Sequence, residues 1–350
     1  MIMKKTLLSI ALAFTAAAAA AGSLPQVAVL ATGGTIAATA AKATEMANYK
    51  AGDLAIQTLI DAVPQIQDYA TVTGEQIVKI SSNNLTDDVL LKLAKRTNEL
   101  LADPNVKGVV ITHGTDTLEE TAWFLNLTVK SRKPVVVIGA MRPATAISAD
   151  GPVNLLNAVR LAIDPKAADQ GVMIALNDEI NAARDAWKTN TTNVATFKAP
   201  ELGVLGYIAN GENHFLRKTV KRHTWQSEFD VSKLDKLPQV EIVYSHANAG
   251  RLFVDAAAAA GVKGIVHAGT GDGSIHKATE AGLLDAMKGG MVAVRSARTG
   301  NGVITGGSRY EKAGFINAGT LSPQKARILL QLALSKTSDP AEIQRIFSEY

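Results

Sequence analysis

Short apolar runs alternate along the chain with stretches whose apolar residues recur at the helical period. The runs lack the polar alternation of a half-exposed strand, which is typical of parallel strands buried on both faces. Strands are predicted at 27–31, 109–112, 135–139, 172–176, 240–244, 264–268 and 291–295, and helices at 87–102, 119–129, 154–163, 251–259, 277–287 and 323–334. This order predicts open, mostly parallel α/β sheets with right-handed crossovers.

The alternation stops between about residues 202 and 237, where polar, charged and aromatic residues mix without a clear period. We interpret this stretch as the connection between two domains. The predicted organisation is a signal peptide at 1–22, a larger N-terminal catalytic α/β domain at 23–215, a linker at 216–237 and a smaller C-terminal α/β domain at 238–350.

The first 22 residues have the three parts of a secretory signal peptide. Lys4 and Lys5 give a positive start, an apolar run follows from Leu7 to Phe14, and a tract of alanines ends at Gly22. The apolar run is short for a membrane span, so an uncleaved anchor is the less favoured alternative. The pattern predicts an exported protein that is periplasmic and free of the membrane once the signal has been cleaved.

Composition narrows the classes of function. The chain contains no cysteine, which excludes disulfides, thiol chemistry and thiolate metal sites. Its formal net charge is +4, and it falls to +2 when Lys4 and Lys5 are removed. Because the basic residues are mostly scattered and aromatic residues make up only 5% of the chain, we predict no nucleic-acid partner.

Polar segments follow four of the predicted strands, where ligands of open α/β sheets bind. They are TGGT (32–35), THGTD (112–116), GAMRP (139–143) and, after a longer gap, DAWKTNTT (185–192). The glycine pair of the first segment could cradle a phosphate or could present a threonine hydroxyl. A phosphate loop would need a lysine after its glycines and a helix behind it, and no lysine follows here.

The segment THGTDTLEET supports two interpretations. Gly114 permits a tight exit from the strand, and Thr117 with Glu119 or Glu120 could form a capping box at the start of a helix. We favour capping for these three side chains. For Thr115 and Asp116, the sequence supports a capping role and a role in catalysis or substrate binding equally. A hydroxyl beside a carboxylate suits nucleophile activation, water activation and amine binding.

A threonine hydroxyl needs a base before it can attack a substrate. Lys188, in the polar segment WKTNTT, could serve once burial lowers its pKa, although a lone lysine is more often a solvated surface residue. Tyr49 could assist a second hydroxyl, although a lone tyrosine more often packs in a core. We expect a structural role for His113. The histidines have no spacing that indicates a metal site.

The motifs TGGTIA, NYKAG, ITHGTDTLEETAWFL, GAMRPATAISADGPVNL and DAWKTNTTNVATF, in this order, resemble the bacterial type II L-asparaginases and the related asparaginase–glutaminases. The resemblance extends from about Leu24 to Tyr350. It implies a two-domain α/β fold and a homotetramer whose active sites lie between the N-terminal domain of one subunit and the C-terminal domain of its neighbour. It also implies hydrolysis of the side-chain amide of L-asparagine, and to a varying degree of L-glutamine, without a cofactor.

The resemblance assigns roles by position. Thr35 would be the primary nucleophile, assisted by Tyr49 on a closing lid that begins at about residue 37. Thr115, Asp116 and Lys188 would form a second catalytic set, and which threonine attacks first is left open. The implied substrate-binding residues are Ser82 for the α-carboxylate, Asp116 for the α-ammonium, the carbonyl of Ala140 for the leaving nitrogen, and Asn83, Thr115 and Ser274.

The chain departs from the family pattern at four places, one of which is the lid, where AATAAKATEMA is richer in alanine than the usual glycine-containing sequence. Asn83 stands where Gln or Glu is usual, and the serine at position 274 is the form found in members with more glutaminase activity. A glutamate that the neighbouring subunit usually supplies is missing near Arg309, so either Glu311 substitutes for it or the amine is bound by Asp116 and other groups. The alternative functions are an amidohydrolase for another amide or a D-amino acid, and a periplasmic amino-acid binding protein.

Overall fold

The computed structural model describes residues 23–306 and 308–350, without the side chain of Ser308, so the predicted signal peptide lies outside the described residues. The strands are β1 Gln26–Gly33, β2 Thr39–Ala40, β3 Tyr49–Lys50, β4 Thr71–Ile80, β5 Val106–Thr112, β6 Val135–Ile138, β7 Val172–Leu176, β8 Glu179–Ala182, β9 Trp187–Lys188, β10 Phe197–Lys198, β11 Gly206–Ala209, β12 Glu212–Phe215, β13 Val240–Tyr244, β14 Gly264–Gly269, β15 Val292–Ala297 and β16 Ile316–Asn317. The α-helices are α1 Ile56–Asp61, α2 Asp87–Ala102, α3 Leu118–Thr128, α4 Gly151–Ile163, α5 Leu252–Ala259, α6 Lys277–Lys288, α7 Ser308–Lys312, α8 Pro323–Leu334 and α9 Pro340–Glu349.

The larger sheet has eight strands in the order β12-β11-β8-β7-β6-β5-β1-β4. Its strands β4, β1, β5, β6 and β7 are parallel, and β8, β11 and β12 extend it by antiparallel pairing. The central strands are buried almost completely, as their unbroken apolar sequences predict. The mostly parallel α/β class is confirmed.

The smaller sheet consists of β13, β14, β15 and β16, which are all parallel. One apolar cluster contains residues of both sheets, including Val109 and Val137 from the larger sheet and Val266 and Val294 from the smaller one. Leu329 of α8 belongs to the same cluster. The two sheets therefore share a continuous core that includes α8. Polar side chains of α8 also reach α2, α3 and the segment that follows β8, all of which belong to the part of the chain with the larger sheet.

All the predicted strands and helices are present, with small shifts at their ends. Strand β4 escaped prediction, because its sequence TVTGEQIVKI is largely polar and it lies at an exposed edge of the sheet. The stretch that we interpreted as a connection from residue 202 contains the hairpin β11–β12. Its turn has positive φ at Asn210 and Gly211, and this Asn-Gly pair is a strong hairpin signal in the sequence.

The parallel strands β1, β5 and β6 are neighbours in the sheet, so their carboxyl ends lie side by side. The segments TGGT and THGTD begin in the last residues of β1 and β5, and GAMRP follows β6 directly. The predicted convergence of polar segments at one edge of the sheet is therefore present. Within residues 23–306 and 308–350, no helix is long and apolar enough to cross a membrane.

Candidate active site

The loop after β1 packs its backbone directly on the loop after β5. Gly33 and Gly34 have φ values of 109° and 81°, which few other residues adopt. A Cβ at Gly34 would lie 2.2 Å from Cα of Gly114, and a Cβ at Gly33 would lie 2.5 Å from the carbonyl oxygen of Ile80. Gly34 therefore lets the loop after β1 approach the loop after β5, and Gly33 lets it approach the end of β4. A single 3-10 turn follows at Thr35–Ala37, rather than the long helix of a phosphate loop.

Thr35 is buried directly after this glycine pair, and its Oγ1 is hydrogen-bonded to the hydroxyl of Tyr49 at 2.9 Å. The short hairpin β2–β3 folds Tyr49 back over Thr35. Asp53 stabilises this fold, because it accepts a hydrogen bond from Thr39 at 2.7 Å and pairs with Lys50 at 2.6 Å. Both contacts hold the pKa of Asp53 below its usual value, with the Lys50 bond the larger cause.

The segment between Thr35 and Tyr49, which we predict to be a lid, is tied to the loop after β6. Ala144 donates its N–H to the carbonyl of Ala38, and Ala40 donates its N–H to Oγ1 of Thr145, both at 2.9 Å. The N–H of Ile147 also reaches the lid, at the carbonyl of residue 43. These bonds hold the segment against the loop after β6, and Met46 and Ala47 of the segment line the cleft together with Ile147.

Thr115, Asp116 and Lys188 form a second polar group. Nζ of Lys188 donates hydrogen bonds to Oγ1 of Thr115 at 3.0 Å and to Oδ1 of Asp116 at 2.7 Å. Thr115 is buried, the Lys188 side chain is 17% exposed, and the Asp116 side chain is 60% exposed. Because its Oγ1 accepts from Lys188, Thr115 keeps its own hydroxyl proton for another partner.

The predicted capping box at the start of α3 is wrong. The helix begins after Thr117, but the Thr117 hydroxyl makes no capping bond and donates instead to the carbonyl of Ser82 at 2.8 Å. Glu119 is buried and turns away from the helix end, where its carboxylate accepts the backbone N–H of Lys188. The Glu119 carboxylate thus binds the segment that carries Lys188 instead of the helix end. Local sequence spacing does not reveal this partner, because it is distant along the chain.

Ser82 lies beneath the loop after β5. It is buried in a 3-10 turn, and a Cβ at Gly114 would lie only 2.6 Å from its Oγ. The absent side chain at Gly114 therefore leaves space for the serine hydroxyl close to Thr115. Asn83, which follows, is exposed.

The loop after β6 is held by the start of α4. Ala140 is fully buried, and the carboxylate of Asp150 accepts the N–H groups of Met141 and Arg142, each at 2.9 Å. The side-chain amide of Asn154 donates to the carbonyl of Gly139 at 3.0 Å. These bonds fix the backbone around Ala140, whose carbonyl is a predicted binding group.

One open cleft of about 730 Å³ brings the predicted catalytic side chains together. Thr35, Tyr49, Thr115, Asp116 and Lys188 all line it. The sequence segments singled out above contain the other lining residues, but sequence reasoning did not name them individually. These other lining residues are Met46, Ala47, Met141, Arg142, Ile147, Ser148, Thr191 and Thr192. Two hydroxyls, each with its own polar partner, therefore face one space that can hold a small polar molecule.

Comparison with known proteins agrees with this arrangement. The family described as "Asparaginase, N-terminal" matches residues 26–221, and the family described as "Glutaminase/Asparaginase C-terminal domain" matches residues 239–347. The chain belongs to the asparaginase family. The family resemblance seen in the sequence is thereby confirmed.

Three relatives illustrate the similarity. L-asparaginase 2 of Bacillus subtilis (strain 168) is 52% identical over 336 residues, covering 96% of this chain and 89% of the relative. The glutaminase-asparaginase of Pseudomonas fluorescens biotype A is 44% identical over 330 residues, covering 93% and 91%. The crystal structure of a probable cytoplasmic L-asparaginase from Campylobacter jejuni has a TM-score of 0.92 and 50% identity, covering 93% of this chain and all of that one.

Ser82, Asn83 and Ala140 do not line the cleft themselves, although Ser82 lies next to Gly114. Two further residues considered from the asparaginase resemblance lie in another part of this chain. Ser274 is exposed on the loop after β14, where its backbone N–H donates to Thr270 at 2.8 Å, and it does not line the cleft. Glu311 is exposed on α7 and accepts a hydrogen bond from the side chain of Asn317 at 3.1 Å. Both belong to the part of the chain that carries the smaller sheet.

His113 has the structural role that we expect, and this asparaginase site does not use it. The ring is fully buried, with Nδ1 2.7 Å from the carbonyl of Gly114 and Nε2 2.9 Å from Oγ1 of Thr121. Burial lowers the pKa of His113 to about 4, so the ring is neutral and Nδ1 donates to the carbonyl. Among the described residues, no group of three or more His, Asp or Glu side chains could hold a metal ion.

Proposed function

We propose that this protein hydrolyses the side-chain amide of L-asparagine to L-aspartate and ammonia, with some hydrolysis of L-glutamine. The observation that carries the proposal is the presence in one cleft of two hydroxyl pairs, Thr35 with Tyr49 and Thr115 with Lys188. A binding protein for amino acids needs no such pairs. The names of the relatives, which include an L-asparaginase and a glutaminase-asparaginase, support the substrate class.

In the proposed first step, Oγ1 of Thr35 attacks the amide carbon, and its proton passes along the 2.9 Å bond to Tyr49. Tyr49 passes its own phenolic proton toward the leaving nitrogen, so ammonia departs and an ester on Thr35 remains. Backbone N–H groups of Thr35 and Thr115 face the developing oxyanion, where each donor commonly contributes about 3 kcal/mol.

In the proposed second step, water attacks the ester carbonyl and restores the Thr35 hydroxyl. Lys188 directs the hydroxyl of Thr115 into the cleft, since Thr115 accepts the lysine N–H and keeps its own proton to donate. The sum of the two steps consumes one water and releases one acid and one ammonia, so the chemistry requires no cofactor.

Substrate recognition in this proposal uses Asp116 and Ser82. Lys188 binds Oδ1 of Asp116, and the other carboxylate oxygen faces the substrate α-ammonium. Ser82 and Asn83 hold the α-carboxylate, and the carbonyl of Ala140 accepts a bond from the amide nitrogen. A second copy of the chain supplies Ser274 in a homotetramer, which would bring the part with the smaller sheet to the cleft of its neighbour. The α-ammonium is bound by Asp116 together with either Glu311 of that copy or other groups.

We also propose export to the periplasm, on the strength of the charged, apolar and small-residue pattern in residues 1–22. The Campylobacter jejuni neighbour is titled cytoplasmic, so the family name alone does not decide the compartment. Cell fractionation of the producing bacterium, with mass spectrometry of the mature N-terminus, tests the proposal. An uncleaved protein in the cytoplasm would contradict it.

The experiment that tests the function is ammonia release by the purified protein, measured over a concentration series of L-Asn and L-Gln in parallel. Release from L-Asn that exceeds release from L-Gln supports an asparaginase, and similar rates support an asparaginase–glutaminase. If the protein binds L-Asn or L-Gln tightly but releases ammonia from neither, the proposal is rejected in favour of an amino-acid binding protein.

A further inference from the structure

Lys325 holds the chain segment that leads to Lys188. It is the third residue of α8 and is 2% exposed. Its Nζ donates to the carbonyls of Ala183 at 2.8 Å, Arg184 at 2.9 Å and Ala186 at 2.5 Å, so each ammonium hydrogen has an acceptor. Burial lowers the pKa of Lys325 to about 8, and the charges of Glu119 and Asp185 oppose that shift.

Glu119 holds the other end of the same segment. Its carboxylate, which is 5% exposed, accepts the backbone N–H of Lys188 at Oε2. Its Oε1 accepts the side-chain amide of Gln324 at 2.7 Å. A buried carboxylate bound to an N–H group makes a charge-assisted bond, which is about twice as strong as a neutral one. Residues 183–188 are thus held at both ends by buried charges of opposite sign.

Both anchors involve α8, which provides Lys325 itself and the Gln324 amide bound to Glu119, and which also packs on the smaller sheet. Gln324 and Lys325 occupy the first turn of this helix. The indole N–H of Trp123 in α3 donates to the carbonyl of Lys325 at 3.0 Å and fixes the position of that turn. The C-terminal part of the chain therefore reaches the backbone that carries the candidate catalytic lysine.

We propose that Glu119 and Lys325 are positioning residues, which place Nζ of Lys188 against Thr115 and Asp116. This inference rests on the proposed function, because it assigns Lys188 a part in turnover. Neither residue lines the cleft, so they act through the backbone at 183–188 rather than on the substrate. Small displacements of a catalytic group, of about 1 Å, can reduce turnover on the order of 100-fold.

The variants Glu119→Met and Lys325→Met test the inference, since Met is close in length and provides no hydrogen bond of this kind. We expect each to lower kcat for L-Asn about 10- to 100-fold with a smaller change in KM. Glu119→Gln should recover most of the activity, because its carbonyl can accept the Lys188 N–H while the Gln324 amide reverses. Loss of activity in Glu119→Gln equal to that in Glu119→Met would overturn the assigned role of Glu119 as acceptor.

Matched controls come from neighbouring groups of the same kind. Glu120→Met removes the adjacent, half-buried glutamate of α3. Lys133→Met removes a lysine whose Nζ binds the carbonyls of Leu101 and Asp103 at 2.9 and 2.6 Å, apart from the cleft. We expect both controls to keep kcat within about twofold of the parent protein, as changes without a catalytic contact usually do.

A kinetic cycle separates positioning from general damage. In a Lys188→Met background, adding Glu119→Met should leave the residual kcat unchanged, because the side chain to be positioned is gone. A further loss of similar size would overturn the inference. If Glu119→Met does not fold, Gln324→Leu replaces it in the same cycle. We expect Gln324→Leu to lower the kcat of the parent protein by a smaller factor, and an unchanged kcat would count against the inference.

The two proposals fail in different ways. A parent protein that releases no ammonia rejects the proposed function. A parent protein that turns over L-Asn and is inactivated by Thr35→Ala, but whose Glu119→Met and Lys325→Met variants keep full kcat, rejects only the positioning role.

Discussion

The hydroxyl oxygens of Thr35 and Tyr49 lie 2.9 Å apart, and the backbone that joins them turns back through the hairpin β2–β3. If Tyr49 relays the threonine proton, Tyr49→Phe keeps the ring but removes the relay. We expect kcat to fall by about 10²- to 10⁴-fold with little change in KM, as is usual for loss of a proton-transfer group. Steady-state ammonia release checks this, and near-normal kcat in Tyr49→Phe would remove Tyr49 from the mechanism.

Thr35→Ala and Thr35→Ser distinguish a nucleophile from a binding hydroxyl. Alanine removes the attacking oxygen, so kcat should fall by several orders of magnitude, whereas serine keeps an oxygen in reach of Tyr49 and should retain measurable turnover. Thermal unfolding of each variant serves as the control for folding. Equal activity of the alanine and serine variants would count against attack by Thr35.

Lys188→Met should slow the second step more than the first. If Thr115 and Lys188 serve hydrolysis of the ester, this variant accumulates an acyl group on Thr35 after rapid mixing with L-Asn. Intact-protein mass spectrometry with peptide mapping measures the adduct. Lys198→Met, on the partner strand β10, is the matched control and should turn over normally. Unmodified Thr35 in a slowed Lys188→Met enzyme would assign the lysine to the first step instead.

Gly34→Ala should be far more damaging than Gly203→Ala. Both glycines have positive φ, at 81° and 73°, so both substitutions carry backbone strain of about 1 kcal/mol or more. The added methyl group at Gly34 would meet Gly114 Cα at 2.2 Å, whereas nothing lies within 4 Å of a Cβ at Gly203. We expect loss of activity and a lower Tm for Gly34→Ala, and a small fall in Tm alone for Gly203→Ala. Equal Tm values would mean that the two loops can separate without cost.

Glu120 should make stability depend on pH. Burial raises the pKa of Glu120 to about 7 from 4.5, so its stabilising contribution is present below pH 4.5 and is lost as the pH rises through 7. Because glutamine mimics the protonated acid, Glu120→Gln should match the parent protein near pH 4. By pH 8 it should exceed the parent in unfolding free energy, by up to about 3 kcal/mol. Denaturant titrations at the two pH values check this, and a constant difference would contradict it.

The family was predictable from the resemblance of five motifs in a fixed order, not from the strand pattern. The mostly parallel α/β class was predictable because each central strand is an unbroken apolar run that needs no partner to be recognised. Strand β4 was not predictable in this way, because its many polar side chains suit an exposed edge. Its pairing with β1 is a long-range contact that the local sequence does not show. The hairpin at Asn210–Gly211 carried a local signal that was present and not used. The domain limits, and the placement of residues 1–22, stay predictions.

For the site, the strand-end segments predict which residues meet, and the structure brings Thr35, Tyr49, Thr115, Asp116 and Lys188 into one cleft. Their catalytic roles stay predictions. The capping assignment failed at Glu119, because the partner of that carboxylate is 69 residues away along the chain. Gln324 and Lys325 could not be predicted as residues near the site for the same reason. The local period of α8 predicts a helix but does not show which distant segments its side chains contact.

Strand β1 lies between β4 and β5, and both of these come later in the chain. Gln26 pairs with Thr71 on one side and with Val106 on the other, so the first strand is flanked only after two long loops have closed. During synthesis this apolar strand therefore stays unpaired until β4 and β5 have been made. Pairing between strands that are distant in sequence is a slow step in folding. A chain in which this strand fails to insert also loses the edge strand β4, because β4 is joined to the sheet through its pairing with β1.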